Sequence, residues 1–173
     1  MRLIFGIDPG LHGAIAVLVN GVVRDVHDMP VQPKTGKGGN QLNAHKLHTL
    51  LLDHYRSTTE PYEEAEFHCE VWIERVGAMP GQGVTSMFSF GEGCGVVRGV
   101  AAALGLPLHF IAPVKWKGLV GLKGFDKSYA LTRAVQLVPT SSSYLTKRSH
   151  VGRADAVLIA YCGNSGGKND KQE

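Results

Sequence analysis

Three carboxylates in this chain stand where charge is costly. Asp8 closes the apolar run Leu3-Ile4-Phe5-Gly6-Ile7 and is followed by the turn pair Pro9-Gly10. Glu74 ends Val71-Trp72-Ile73, and Asp155 is set within Ala154-Asp155-Ala156-Val157-Leu158-Ile159-Ala160. A carboxylate at the end of a buried strand loses most of its hydration and is tolerated only beside a cation or a strong donor. No lysine or arginine is obliged to neutralise all three, whereas a divalent metal could. Acids that one metal could neutralise together are suited to metal-assisted chemistry.

The elements that must position these acids read as α/β. Residues 2 to 8, 13 to 19 and 22 to 28 are short apolar or alternating runs, and the Asn20-Gly21 break is a strong hairpin signal, so three antiparallel strands are expected. Pro30 to Asn40 holds Lys34, Lys37 and three glycines and reads as a mobile loop whose basic tip could touch DNA. Leu42, Ala44, Leu47, Leu51 and His54 recur at helical spacing over 41 to 57. After a polar, acidic connection, residues 70 to 74 form a fourth strand, 84 to 104 a long helix and 108 to 111 a fifth strand. Shorter helices are expected at 113 to 120, 126 to 138 and 152 to 162. Residues 1 to 163 make one domain, and the glycine-rich, polar residues from Gly163 onward read as a frayed tail, 164 to 173 being flexible. Gly91, Gly95, Gly99 and Ala103 lie four apart on the long helix, although each glycine costs a helix about 1 kcal/mol relative to alanine. Such a stripe lets a backbone approach closely, from a second helix or from the same helix of a second subunit. Phe88 and Phe90 are expected to fill core.

Composition narrows the classes. A chain of 173 residues buries a sizeable core without disulfides. Cys69, Cys94 and Cys162 are odd in number and lack metal-type spacing, so they read as core fillers in a reducing compartment. The start Met1-Arg2-Leu3 lacks the features of a signal peptide and Arg98 interrupts the longest later apolar segment, so a cytoplasmic protein without a membrane span is expected. The net charge is only +3, but it is unevenly spread: seven acids face Arg56 alone between Asp53 and Glu74, and seven basic residues face Asp126 alone between Lys115 and Arg148. A cationic half beside a set of acids suits a nucleic-acid enzyme, and it also suits a merely solvated basic face.

Phe5-Gly6-Ile7-Asp8-Pro9-Gly10, Trp72-Ile73-Glu74-Arg75-Val76, the glycine- and alanine-rich helix, Pro113-Val114-Lys115 and the Asp155 segment together resemble the ordered motifs of RuvC-type Holliday junction resolvases. Gly77-Ala78-Met79-Pro80-Gly81-Gln82-Gly83-Val84 resembles the bacteriophage branch of that family. The resemblance implies a ribonuclease H-like fold, a five-stranded mixed sheet (three antiparallel strands, then two parallel) flanked by helices, acting as a homodimer on four-way DNA junctions. It makes Asp8, Glu74 and Asp155 ligands of two Mg2+ or Mn2+ ions about 4 Å apart, which stabilise both ends of an in-line displacement at phosphorus. Where cellular relatives carry an acid or histidine one turn before the last aspartate, this chain has Gly152. His150 is the nearest group able to bind metal or relay a proton, with His12 a weaker candidate. Lys115 and Lys127 fall where the family contacts phosphate, and Lys117, Lys123 and Arg148 extend that patch. The aromatic wedge that often follows the glutamate is replaced here by Met79, which implies a wider range of branched substrates. Trp116 reads as an anchor in the core or as a base-stacking residue. Two other classes compete with the endonuclease: a noncatalytic junction-binding module on the same fold, suggested by Gly152, and an actin-like phosphotransferase, for which the chain is too short and lacks a second phosphate loop.

Overall fold

β1 (Arg2–Ile7) carries an almost unbroken apolar run because it lies at the centre of a sheet buried on both faces. Alternation sends Leu3, Phe5 and Ile7 into one core and Ile4 into the other. The computed structural model describes residues 1–36, 38–60, 66–75, 77, 81 and 83–165. β2 (Ala14–Val19) runs antiparallel to β1, and β3 (Val22–Asp28) antiparallel to β2. Asn20 and Gly21 between them take φ of 50° and 82°, the paired left-handed conformation of a two-residue hairpin turn.

The stretch expected as a loop instead folds in part as a small ribbon, β4 (Val31–Pro33) paired with β5 (Asn40–Leu42). Three-residue strands are too short for periodicity to reveal. Lys34 is tied inward, its Nζ 3.4 Å from Ser89 Oγ and from Glu92 Oε2, and Lys37 lies outside the described residues. α1 (Ala44–Thr59) starts where Asn43 Oδ1 accepts the Lys46 N–H at 2.9 Å, and it buries Leu47 and Leu51 one turn apart. β6 (His68–Glu74) then pairs in parallel with β1. α2 (Val84–Ala103) returns the chain to β7 (Leu108–Ile111), which is parallel to β6. The sheet order β3-β2-β1-β6-β7 is the expected one, three antiparallel strands and two parallel. α3 (Pro113–Leu119), α4 (Tyr129–Leu137), an unforeseen 3-10 turn over 139–144 and α5 (Val151–Asn164) complete the chain.

α1 and α2 cover the sheet face bearing Phe5, Ile7, Ile15 and Val17, while α5, backed by Trp116 and α4, covers the face bearing Ile4, Ala14, Ala16 and Leu18. α5 lies very close to the strands. A Cβ on Gly6 would run into the Ala156 carbonyl and Ala160, and one on Gly163 would come within 2.6 Å of the Trp72 ring. Gly163 and Asn164 therefore belong to the helix and not to the expected tail, and the Asn164 carbonyl accepts from Arg2 Nη1 at 2.9 Å. Residues 166–173 lie outside the described residues.

The α2 stripe packs against no other described helix of this chain, one of the two partners expected for it. Among the described residues nothing lies within 4 Å of a would-be Cβ on Gly91, Gly95 or Gly99, because the core side of the helix is supplied by Gly93, Val97, Val100 and Ala101. Phe88 shares the open side, 73% exposed, and so does not fill core; Phe90 is half-buried. Cys162 is buried, Cys69 and Cys94 are half-buried, and all three are free thiols.

Candidate active site

The parallel register sets Ile7 beside Ile73, so Asp8 and Glu74 leave neighbouring strands at the same end of the sheet. Asp8 is fixed by its own turn: its N–H donates to the Ala14 carbonyl at 3.0 Å and its Oδ1 accepts the Gly10 N–H at 3.3 Å. Gly13 closes that turn against the Asp8 carbonyl with no room for a side chain. Asp155 arrives from the opposite face, in the second turn of α5. The start of α5 is set by Gly152, where a Cβ would stand 2.5 Å from the His12 carbonyl oxygen. The residue that reads in sequence as a vacant ligand slot is thus a point where two backbones touch.

The three acids share one electrostatic environment. Burial pushes Asp155 up to about 7, helped by the negative charges of Asp8 and Glu74. Burial also raises Asp8, against the Gly10 N–H, and raises Glu74, against a hydrogen bond from Trp116. Lys117 and Lys127 lower all three from a distance. Among the described residues, none of the acids forms an ion pair with lysine or arginine within 4.0 Å. Burial raises all three carboxylates, Asp8 adds to the rise of Glu74, and Asp8 and Glu74 add to that of Asp155, the pattern of acids crowded into one partly buried place. Their oxygens are not gathered within 4.8 Å of one another as the ligand atoms of Asp25, His27 and His54 are.

Trp116 is fully buried and donates its indole N–H to Glu74 Oε1 at 2.9 Å. It is the expected core anchor, and it also orients a site residue. That second role joins positions 42 apart, and nothing in the local pattern could have shown it. Lys117 and Lys127 line a cleft of about 160 Å³ with Asp155, Asp126 and Phe125. Lys115, Lys123 and Arg148 are exposed on the same stretch of chain, and Arg148 acts on Asp126. Met79 lies outside the described residues. His12 is exposed, and its backbone carbonyl meets α5 at Gly152. His150 precedes α5 with its Nδ1 buried and unpartnered; its charge acts on Asp28, which is gripped by Arg153 through two hydrogen bonds of 2.6 and 2.7 Å.

No family model matches the chain. Over 97 residues it is 38% identical to the chloroplastic Holliday junction resolvase MOC1 of Chlamydomonas reinhardtii; the match spans 51% of this chain and about a tenth of that protein's length (10%). The fold is that of RuvC. The Thermus thermophilus RuvC in complex with a Holliday junction substrate superposes with a TM-score of 0.56 at 16% identity, over 96% of this chain and 97% of that one. A second Thermus thermophilus RuvC structure gives 0.52 at 17%, over 95% and 96%. No helix among the described residues is long and apolar enough to cross a membrane.

Proposed function

We propose that the chain is a metal-dependent, structure-selective endonuclease that hydrolyses phosphodiester bonds at four-way junctions and related branched DNA. The observation that carries this reading is the set Asp8, Glu74 and Asp155, brought from β1, β6 and α5 to one end of a RuvC fold without a contact cation. The likeness to a Holliday junction resolvase over half the chain supports it.

The donors are all carboxylate oxygens, which fits a hard cation such as Mg2+ or Mn2+ and disfavours zinc. Asp8, Glu74 and Asp155 would hold two such ions, supplying positive charge for the attacking and leaving oxygens of an in-line displacement. The protein's own groups prepare that arrangement. Trp116 holds Oε1 of Glu74, and the Gly10 N–H orients Asp8. Lys117 and Lys127, beside Asp155, draw the scissile phosphate in, and Lys115, Lys123 and Arg148 extend the cationic track for the arms. We assign a proton-relay role to His150 and a wedge role to Met79 on their places in the sequence.

The open face of α2, with Val84 and Phe88 leading into Gly91, Gly95 and Gly99, supports a homodimer that would present two acid sets to the two strands of a junction. The free thiols support a reducing compartment such as a cytoplasm, and the Gly77 to Val84 segment supports a phage origin. A noncatalytic module rested on Gly152, and the His12 carbonyl supplies a steric reason for that glycine.

The test is cleavage of an end-labelled four-way junction and its separate arms with Mg2+, Mn2+ or chelator. Paired, metal-dependent nicks near the branch are expected from the wild type. Asp8→Asn, Glu74→Gln and Asp155→Asn should each lower the rate by roughly 1,000-fold, the several kcal/mol that metal charge contributes, with junction binding retained. Wild-type rates in any one variant would remove that acid from the site, and tight binding without nicks in either metal would make the chain a binding module.

A further inference from the structure

Away from the acids, two histidines and an aspartate converge. Asp25 and His27 are two apart on β3, so both side chains leave the same face of the sheet. Their partners on β2 are Val17 and Ile15, which belong to the core beneath α1, and α1 brings His54 over them one turn past Leu51. His27 Nε2 lies 2.8 Å from His54 Nε2 and 3.2 Å from Asp25 Oδ2, and His54 Nε2 lies 4.0 Å from the same oxygen. The imidazole planes are inclined at 54° with ring centres 5.1 Å apart, so the contact is nitrogen to nitrogen and not a ring stack.

Three features distinguish this from a chance surface contact. The converging atoms are the two Nε2 atoms and one carboxylate oxygen, all within 4.8 Å of one another. Asp25 is oriented: its Oδ1 accepts the Val26 N–H at 2.8 Å, which turns Oδ2 toward the histidines. The side chains are neither dry nor fully wet, at 36%, 32% and 19% exposure for Asp25, His27 and His54, leaving an approach for an ion and a water. Ligand bonds of about 2.0 to 2.2 Å at tetrahedral angles set neighbouring donor atoms on one ion about 3.4 Å apart, within the 2.8 to 4.0 Å span of the three separations here.

We propose that Asp25, His27 and His54 form a second metal site, selective for a divalent late transition metal and for zinc(II) foremost, which clasps the edge strand β3 to α1. Two imidazole nitrogens and one carboxylate suit zinc, whereas the all-oxygen set of Asp8, Glu74 and Asp155 suits magnesium, so the two sites sort ions by ligand chemistry. With three protein ligands, the fourth position of a tetrahedral ion falls to water. The role is structural: the ion joins residues 27 apart in sequence across the strand that ends the sheet. It stands independently of the nuclease reading.

The test uses the full chain carrying Asp8→Asn and Asp155→Asn, so that the acid set does not compete. Zn2+ is titrated against a chromophoric chelator, and thermal unfolding is followed with and without Zn2+. One equivalent should bind, and Tm should rise with Zn2+. His27→Gln and His54→Gln should each weaken binding by roughly 100-fold and abolish the Tm shift, since losing a ligand costs at least as much as losing its supporting hydrogen bond. In the otherwise wild-type chain, Co2+ should shift the imidazole proton resonances of His27 and His54 in particular. Equal zinc affinity in the parent and both variants, or cobalt shifts confined to other histidines, would overturn the proposal and leave the three residues as a hydrogen-bonded cluster.

Discussion

The glycines of α5 and its neighbours and the glycines of α2 share a residue type but have opposite surroundings. At Gly6, Gly13, Gly152 and Gly163 a single carbon would collide with backbone or with the Trp72 ring, whereas at Gly91, Gly95 and Gly99 it would meet none of the described residues. The first group allows α5 to lie on the strands closely enough to bring Asp155 to Asp8 and Glu74. The second leaves one side of a long helix bare in the single chain. Along α5 the glycines thus admit close packing of backbone beside the three acids, and on α2 they leave a bare face, the one proposed above as the dimer contact.

The sharpest way to break this contrast is Gly6→Ala. It sets a methyl against the α5 backbone and should cost about 3 kcal/mol or more, read as the denaturant midpoint. Gly152→Ala presses on the His12 carbonyl at the end of α5. It should cost about 2 kcal/mol and lower junction cleavage more than junction binding, because Asp155 moves with the helix. Asp155→Asn probes the charge gathered at the packed end. The folded-state pKa of about 7 lies above the ordinary 3.8, so between those values the folded chain holds the extra proton and stability falls as pH rises. Without divalent metal, Asp155→Asn should therefore match wild type near pH 4 and exceed it by about 1 to 2 kcal/mol above pH 7, a gap that thermal melts across that range would measure. Gly95→Ala, on the open stripe, has the smallest and opposite effect. It should stabilise the monomer by about 0.5 to 1 kcal/mol through helix propensity, while analytical ultracentrifugation should detect weaker self-association.

Elements defined by local pattern were legible in the sequence. The alternating strands, the Asn20-Gly21 turn, the 108 to 111 strand and the helices of α1, α2 and α5 stand where the residues predict, to within a few positions. The three acids could be picked out because each interrupts an apolar run. What escaped depends on contacts between distant positions or on pieces too short to be periodic. The β4–β5 ribbon and the 3-10 turn over 139–144 have no repeating pattern to betray them. Phe88 misled because α2 is apolar nearly all round, so composition does not say which side faces the sheet. The Trp116 bond to Glu74 and the meeting of His27 with His54 join separate elements. Gly152 was visible, but its reason was not: only the position of the His12 carbonyl distinguishes a missing ligand from a required glycine.

The clamp of Arg2 on both Glu70 and the Asn164 carbonyl has a consequence for the order of events in folding. β1, β2 and β3 can pair as soon as they exist, being joined by short turns. The other partners of β1 are distant in sequence: β6 comes some sixty residues later, and α5 is the last described element, so these contacts close long loops. A chain halted before α5 docks has the Asp8 turn and the Glu74 strand in place, but no Asp155 and no cover over Gly6. The acid set is therefore complete only where α5 is docked, and on the proposed function a chain lacking that contact would be inert toward the phosphodiester backbone.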